Sequence, residues 1–194
     1  MATNASNVLI GTADQKTTGA IQSAPLGTTL PTSASAEIDS AFKDSGFVSS
    51  DGLTLTPDMS TSDINEWNGG LVRRILESFD GTLAWAHLET NEQSLKNTFG
   101  DENVQVTPAD ATHGQQIKVS LGAHLPAAKS WVFKMKDGNH RILIVVPNGQ
   151  VTSVDDISFT STDAISWSVT LSTYPDEHGE SIYIYFDDGK TTEM

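Results

Sequence analysis

The sequence predicts a mainly β protein, an antiparallel β-sandwich or barrel with short flanking helices, and three observations carry that reading. Ile165, Trp167, Val169 and Leu171 alternate with Ser166, Ser168, Thr170 and Ser172, the period of a strand with one apolar face. The run Ile-Leu-Ile-Val-Val at 142–146 is apolar on both faces, as in a strand at the centre of a core. The dipeptides Asp80-Gly81 and Asp137-Gly138 each lie between strand-like runs and favour tight hairpin turns.

Taken in order, residues 1–18 are small and polar apart from Val8, Leu9 and Ile10, a composition that reads as a flexible arm. Those three residues are either an accident of local sequence or a strand that orders on a neighbour. Ile21 opens the first strand of a single domain over residues 19–189, and Ala24-Pro25-Leu26-Gly27 stops it, because proline lacks an N–H and glycine admits positive φ. Thr32 and Ser33 start a short helix that sets Ile38 and Phe42 on one face, and Phe47-Val48 returns to strand before a turn at Asp51-Gly52.

Residues 51–70, including Pro57, Asp58, Asp63, Glu66 and Trp67, form a polar run that reads as a long loop. Compact domains seldom keep about 20 structureless residues without a use for them. Trp67 implies that the loop docks, either on its own domain or on a partner.

Paired strands follow on either side of Asp80-Gly81, the first carrying Arg73 and Arg74. Thr90 and Gln93 form a capping box at the start of a helix over residues 91–99, with Leu95 and Phe99 on its buried face and Gly100 at its end. The second half reads as strands at 131–136 and 141–146, a turn at Pro147-Asn148-Gly149, short strands at 151–154 and 157–160, the alternating strand at 164–174, and a closing strand at 182–186. Residues 190–194 are a polar tail.

Composition narrows the function. Twenty-five acidic against eleven basic side chains give a formal net charge of −14, too few cations to grip duplex DNA. Solubility alone accounts for such a charge. The absence of cysteine removes disulfides, zinc fingers and thiol nucleophiles. The N-terminus has no basic segment followed by an apolar run, and no stretch of about 18 apolar residues occurs, so the reading is of a protein made in the cytosol with neither export signal nor membrane span.

Chemistry is sparse. No phosphate loop, nucleophile elbow, zinc helix or calcium loop is present. His87, His113, His124, His140 and His178 are scattered rather than spaced as metal pairs. Asp155-Asp156 and Asp187-Asp188 are adjacent acids, which point to opposite faces of a strand and suit turns better than acid–base pairs or a cation site. No catalytic residue, cofactor or metal is expected.

Several separated segments, in order, resemble the major tail tube subunits of long non-contractile-tailed phages, most of all those infecting actinobacteria. They are residues 24–31 (APLGTTLP), 47–49, 51–54, 66–70 (EWNGG), 145–152 (VVPNGQVT) and 174–177. The resemblance implies a tail-tube-type β-sandwich with a flanking helix. It implies hexameric rings stacked into a hollow tube around a tape measure protein, contacts with terminator and distal tail proteins, and later passage of DNA. Location in the virion tail follows.

On that view residues 51–70 are an inter-ring loop, with Pro57, Asp58, Asp63, Glu66, Trp67, Arg73 and Arg74 as contact candidates. Ser166, Ser168, Thr170 and Ser172 are candidates for an intersubunit sheet face. Rival readings are a carbohydrate- or receptor-binding β-sandwich module, which calls for clustered exposed aromatics, and a hydrolase with unrecognised acids.

Overall fold

The computed structural model describes residues 3–14 and 19–191. The remainder of the predicted arm, residues 1, 2 and 15–18, and residues 192–194 of the tail lie outside the described residues. The strands are β1 (Thr12–Ala13), β2 (Ile21–Pro25), β3 (Lys43–Asp44), β4 (Thr54–Asn65), β5 (Leu71–His87), β6 (Val104–Thr107), β7 (Gln116–Val119), β8 (Lys129–Asp137), β9 (His140–Val154), β10 (Trp167–Tyr174) and β11 (Tyr183–Asp187), with one α-helix, α1 (Glu92–Phe99). The chain is mainly β, as the sequence predicts.

Every pairing is antiparallel, and the main sheet runs β3-β2-β8-β9-β10-β5-β4, with β1 on the edge of β8 and β11 on β9. β6 and β7 make a separate two-stranded sheet that the sequence reading did not anticipate. In a flat sheet β8 and β5 would stand about 14 Å apart, three strand spacings. Instead the Trp85 ring on β5 lies 5.3 Å from Phe133 and 5.4 Å from Trp131, both on β8. The sheet therefore curls on itself around a core of Ile21, Leu83, Trp85, Trp131, Phe133, Val146, Val169 and Leu171. On the other face of β8 and β9, Val132, Leu143 and Val145 are covered by Leu30, Ala34, Ile38 and Phe42.

Helix α1 packs on this sheet through a buried polar network. The Asn97 Oδ1 accepts from Ser23 Oγ at 2.7 Å and Gln93 Nε2 at 2.9 Å, while its Nδ2 donates to Ser45 Oγ at 2.7 Å. Lys129 Nζ, nearly buried, reaches Asp101 at 2.7 Å beside it. Asn97→Leu keeps the volume but removes one hydrogen-bond partner each from Ser23, Ser45 and Gln93, so it should destabilise the fold by about 2–4 kcal/mol. Urea unfolding of the variant measures that loss.

Several expectations are corrected. Residues 54–65 of the predicted long loop are a strand, twelve residues paired throughout with β5. Its Thr and Ser residues show no apolar period because this part of the strand lies beyond the core, and cross-strand pairing supplies what burial does not. Asp80-Gly81 is no turn: β5 runs straight through it. Gly81 is needed for space, since a Cβ there would lie 2.6 Å from Thr173 Oγ1 and 2.8 Å from Ile182 Cδ1.

Nor does the chain turn at Pro147-Asn148-Gly149. β9 continues to Val154, and the register shift of β8 between Lys129 and Trp131 absorbs the proline's missing donor. Here Ser130 Oγ donates to the Pro147 carbonyl at 2.7 Å and Trp131 Nε1 to that of Gly149 at 3.1 Å. A Cβ on Gly149 would press on Leu171, Val146 and Trp131 at 3.0–3.1 Å.

The helix expected after Thr32 is absent. That stretch is turns and bends, because Pro31 and the serines favour them, and Ile38 and Phe42 still reach the core from irregular backbone. Phe47-Val48 contributes only an isolated bridge from Val48 to His87, and residues 157–160 form no strand. The helix cap falls one residue later than read: Asn91 caps Ser94 N at 2.8 Å and Ser94 Oγ accepts from Asn91 N at 3.0 Å. Gln93 is left to the Asn97 network. Part of the arm is tied down too. Thr12 and Ala13 pair with Lys136 and Met135, and the Asp14 carboxylate lies 3.3 Å from Lys136 Nζ.

Candidate assembly surfaces

Beyond the Pro57–Gly81 pair, β4 and β5 leave the sheet as a two-stranded ribbon, with eight strand residues on the β4 side reaching about 26 Å. It closes through Glu66 to Gly70, where Glu66 N donates to Gly70 O and Gly69 N to Glu66 O, each at 2.8 Å. Gly69 there has φ +88°, a conformation that suits glycine. Directly opposed residues share a face. One face continues the core stripe outward: Met59 faces Phe79, Thr61 faces Leu76, Asp63 faces Arg74 and Asn65 faces Leu71. The opposite face begins with Asp58 against Asp80 and Ser60 against Ser78, then carries Ser62 against Ile75 and Ile64 against Arg73.

The ribbon is thus amphipathic near its base, and among the described residues its apolar side is left exposed. Met59, Ile64, Leu71, Val72, Ile75, Leu76 and Phe79 are all exposed, and Trp67 at the tip is 102% exposed. An isolated two-stranded ribbon is marginal in water. The seven contact candidates, Pro57, Asp58, Asp63, Glu66, Trp67, Arg73 and Arg74, therefore lie together on this one ribbon. Arg74 is engaged within it: Nε and Nη2 donate to the two Asp63 oxygens at 2.7 and 3.1 Å, which raises the Arg74 pKa. Arg73 forms no ion pair among the described residues.

A second surface is the outer face of the curled sheet. Ser168, Thr170 and Ser172 are half-buried and lie beside Ala86, Ala84 and Thr82 of β5. Thr54 and Thr56 of β4 continue the row, and Thr152 bonds Ser172 Oγ at 2.8 Å on the β9 side. Ser166 precedes the strand and is also half-exposed. Because β10 is hydrogen-bonded on both sides, these residues form a face and not a free edge. The face is small and hydroxylated; Asp155, whose N–H donates to the Ser168 carbonyl, lies at one end of it, and Asp58 and Asp80 lie at the base of the ribbon.

Among the described residues no three His, Cys, Asp or Glu side chains meet as a metal site, and no helix is long and apolar enough to cross a membrane. Asp187 and Asp188 accept turn N–H groups from Gly189 and Lys190. His87 is fully buried. Its Nε2 accepts from Trp85 Nε1 at 2.9 Å, which puts the ring proton on Nδ1, an atom with no hydrogen-bond partner among the described residues. Burial lowers the His87 pKa to about 4.

A curled β domain with a projecting apolar ribbon that no other described residue covers has the build of a subunit that packs against another chain. The family model of phage tail tube proteins matches residues 1–193, and the chain belongs to that family. Its members are structural, so this protein is not an enzyme. No curated protein sequence matches the chain.

Among solved structures, it is similar to the tube-terminating cap of the anti-feeding prophage at 12% identity, covering 95% of this chain and 98% of that one with a TM-score of 0.46. It is also similar to a chain in the tail of an empty gene transfer agent particle refined with C6 helical symmetry, at 11% identity, 80% and 90% coverage and a TM-score of 0.42. A chain of the native gene transfer agent virion matches at 11% identity, 78% and 92% coverage and a TM-score of 0.40.

Proposed function

We propose that this chain is the major tail tube subunit of a long non-contractile phage tail, of the kind carried by phages of actinobacteria. Six copies close a ring, and rings stack into a hollow tube around a tape measure protein. Terminator and distal tail proteins cap the two ends, and DNA passes through the bore at infection. Assembly takes place in the host cytoplasm and the product resides in the virion tail.

The observation that carries this reading is the ribbon. It holds an apolar stripe that the other described residues leave exposed, in a member of the phage tail tube family. The ribbon is the inter-ring contact in this reading, in place of the loop. A binding module fits less well, because Trp85, Trp131 and Trp167 are core residues and leave Trp67 without an aromatic platform. Negative-stain images of the purified protein test the reading: six-fold rings or tubes support it, and a protein that stays monomeric at high concentration with its arm intact contradicts it.

The face of Ser166, Ser168, Thr170 and Ser172, with Asp58 and Asp80 at its margin, lines the bore in this proposal or meets the adjacent subunit's sheet. Two aspartates directly opposite repel each other, and such a pair is tolerated best facing water. A bore without cations lets DNA slide, because each lysine would exchange condensed counterions for a phosphate contact. Tubes of Thr170→Lys should therefore retain short duplex DNA at low salt and release it as salt rises, whereas wild-type tubes retain none. Equal retention by both would place this face away from the bore.

A further inference from the structure

We propose that Lys129 and Asn97 join in a covalent isopeptide bond, formed by the chain on itself with loss of ammonia. The reacting groups meet under helix α1. Lys129 Nζ lies 3.4 Å from Asn97 Oδ1 and 2.7 Å from Asp101 Oδ1. Lys129 is 7% exposed and Asn97 2%, so amine and amide face each other almost out of water. The electrophilic Asn97 Cγ is one carbonyl bond, about 1.2 Å, from Oδ1. Near-attack contact is about 3–3.5 Å, so a swing of about 1 Å by the flexible lysine stem closes the gap.

The surroundings supply what the reaction asks for. Ser23 Oγ and Gln93 Nε2 donate to Asn97 Oδ1 at 2.7 and 2.9 Å, at the atom where negative charge develops when an amide is attacked. The Asp101 carboxylate is in general-base reach of Nζ. Asp101 takes one proton from the Lys129 ammonium. The freed Nζ pair attacks Cγ, the carbonyl π pair moves to Oδ1, and a second Nζ proton passes to Nδ2. The carbonyl then re-forms, the Cγ–Nδ2 bond breaks, and ammonia departs as ammonium with the proton that Asp101 held. Nothing is oxidised or reduced, and Asp101 returns to carboxylate. Each chain reacts once, on its own side chains, so the protein remains a structural subunit.

The bond ties α1 to the first residue of β8 and closes residues 97–129, with β6 and β7 between them, into a covalent loop. A cross-link stabilises chiefly by restricting the unfolded chain, and this chain has no cysteine to do so by disulfide.

Intact mass of the folded, full-length protein is the test. It should fall short of the sequence mass by one ammonia. Digestion after lysine should release residues 97–118 joined to residues 119–134, uncut at Lys129 because its amine has become an amide. Lys129→Arg keeps a cation beside Asp101 but has no primary amine, and should show its full mass and a lower urea midpoint. Asp101→Asn retains both reactants and should link at least about 100-fold more slowly. The wild-type mass decides even where a variant fails to fold by circular dichroism. A folded wild type that keeps its full mass on prolonged incubation overturns the proposal. So does ammonia loss with residues 97–118 and 119–129 released separately, the mark of a succinimide at Asn68-Gly69 or Asn148-Gly149. Linkage in Asp101→Asn at the wild-type rate overturns the chemistry assigned to the site.

Discussion

A chain in which residues 58–80 are replaced by Asn-Gly, so that Pro57 turns tightly into Gly81, is expected to fold to the same β core and to lose assembly altogether. Pro57 and Gly81 are directly opposed in the ladder, and a two-residue turn between them is geometrically natural. Every residue removed is exposed except Ser62, which is half-buried, and none belongs to a core cluster, so the core gives up no packing. What disappears is the Met59, Phe79 and Leu76 stripe together with the Trp67 tip, all the large apolar surface of the ribbon. Circular dichroism and unfolding should match the parent, while sedimentation should show monomers where the parent forms tubes. Tubes of normal axial spacing from this variant would assign the ribbon a different task.

A second large effect is expected from acid. His87 is neutral in the fold with a pKa lowered to about 4, whereas in the unfolded chain it returns to the ordinary value near 6.5. Between those values the unfolded state binds the proton and the folded state does not. Stability is therefore fully present above pH 6.5, falls as pH drops towards 4, and levels off below that, with a total loss of about 3 kcal/mol. The charged ring would also lose its Nε2 acceptor role for the Trp85 indole. Carboxylates contribute below pH 5, since Asp110, Asp176 and Asp188 have lowered pKa values. His87→Gln supplies the control: its amide oxygen can accept from Trp85 but does not titrate. Urea midpoints of the parent and the variant should converge as pH falls from 6.5 to 5. Parallel curves over that range would show that His87 does not govern the acid response.

The alternation around β10, the Asp137-Gly138 hairpin and the Leu95–Phe99 helix face were all legible in the sequence, because each follows from a period or a turn within a dozen residues. The shape of residues 54–80 was not. A strand whose distal part leaves its core has no inward face to stamp a hydrophobic period on it, so residues 54–65 read as loop until their pairing with β5 was in view. Asp80-Gly81 and Pro147-Asn148-Gly149 carried genuine turn chemistry, yet the tertiary structure used those glycines for close approach to Thr173, Ile182, Leu171 and Trp131. Local residues determined which segments favour strand, turn or helix. Which face each strand hides, where the sheet curls, and that a bare tryptophan is left over were decided by packing among residues far apart in the chain, which no local pattern encodes.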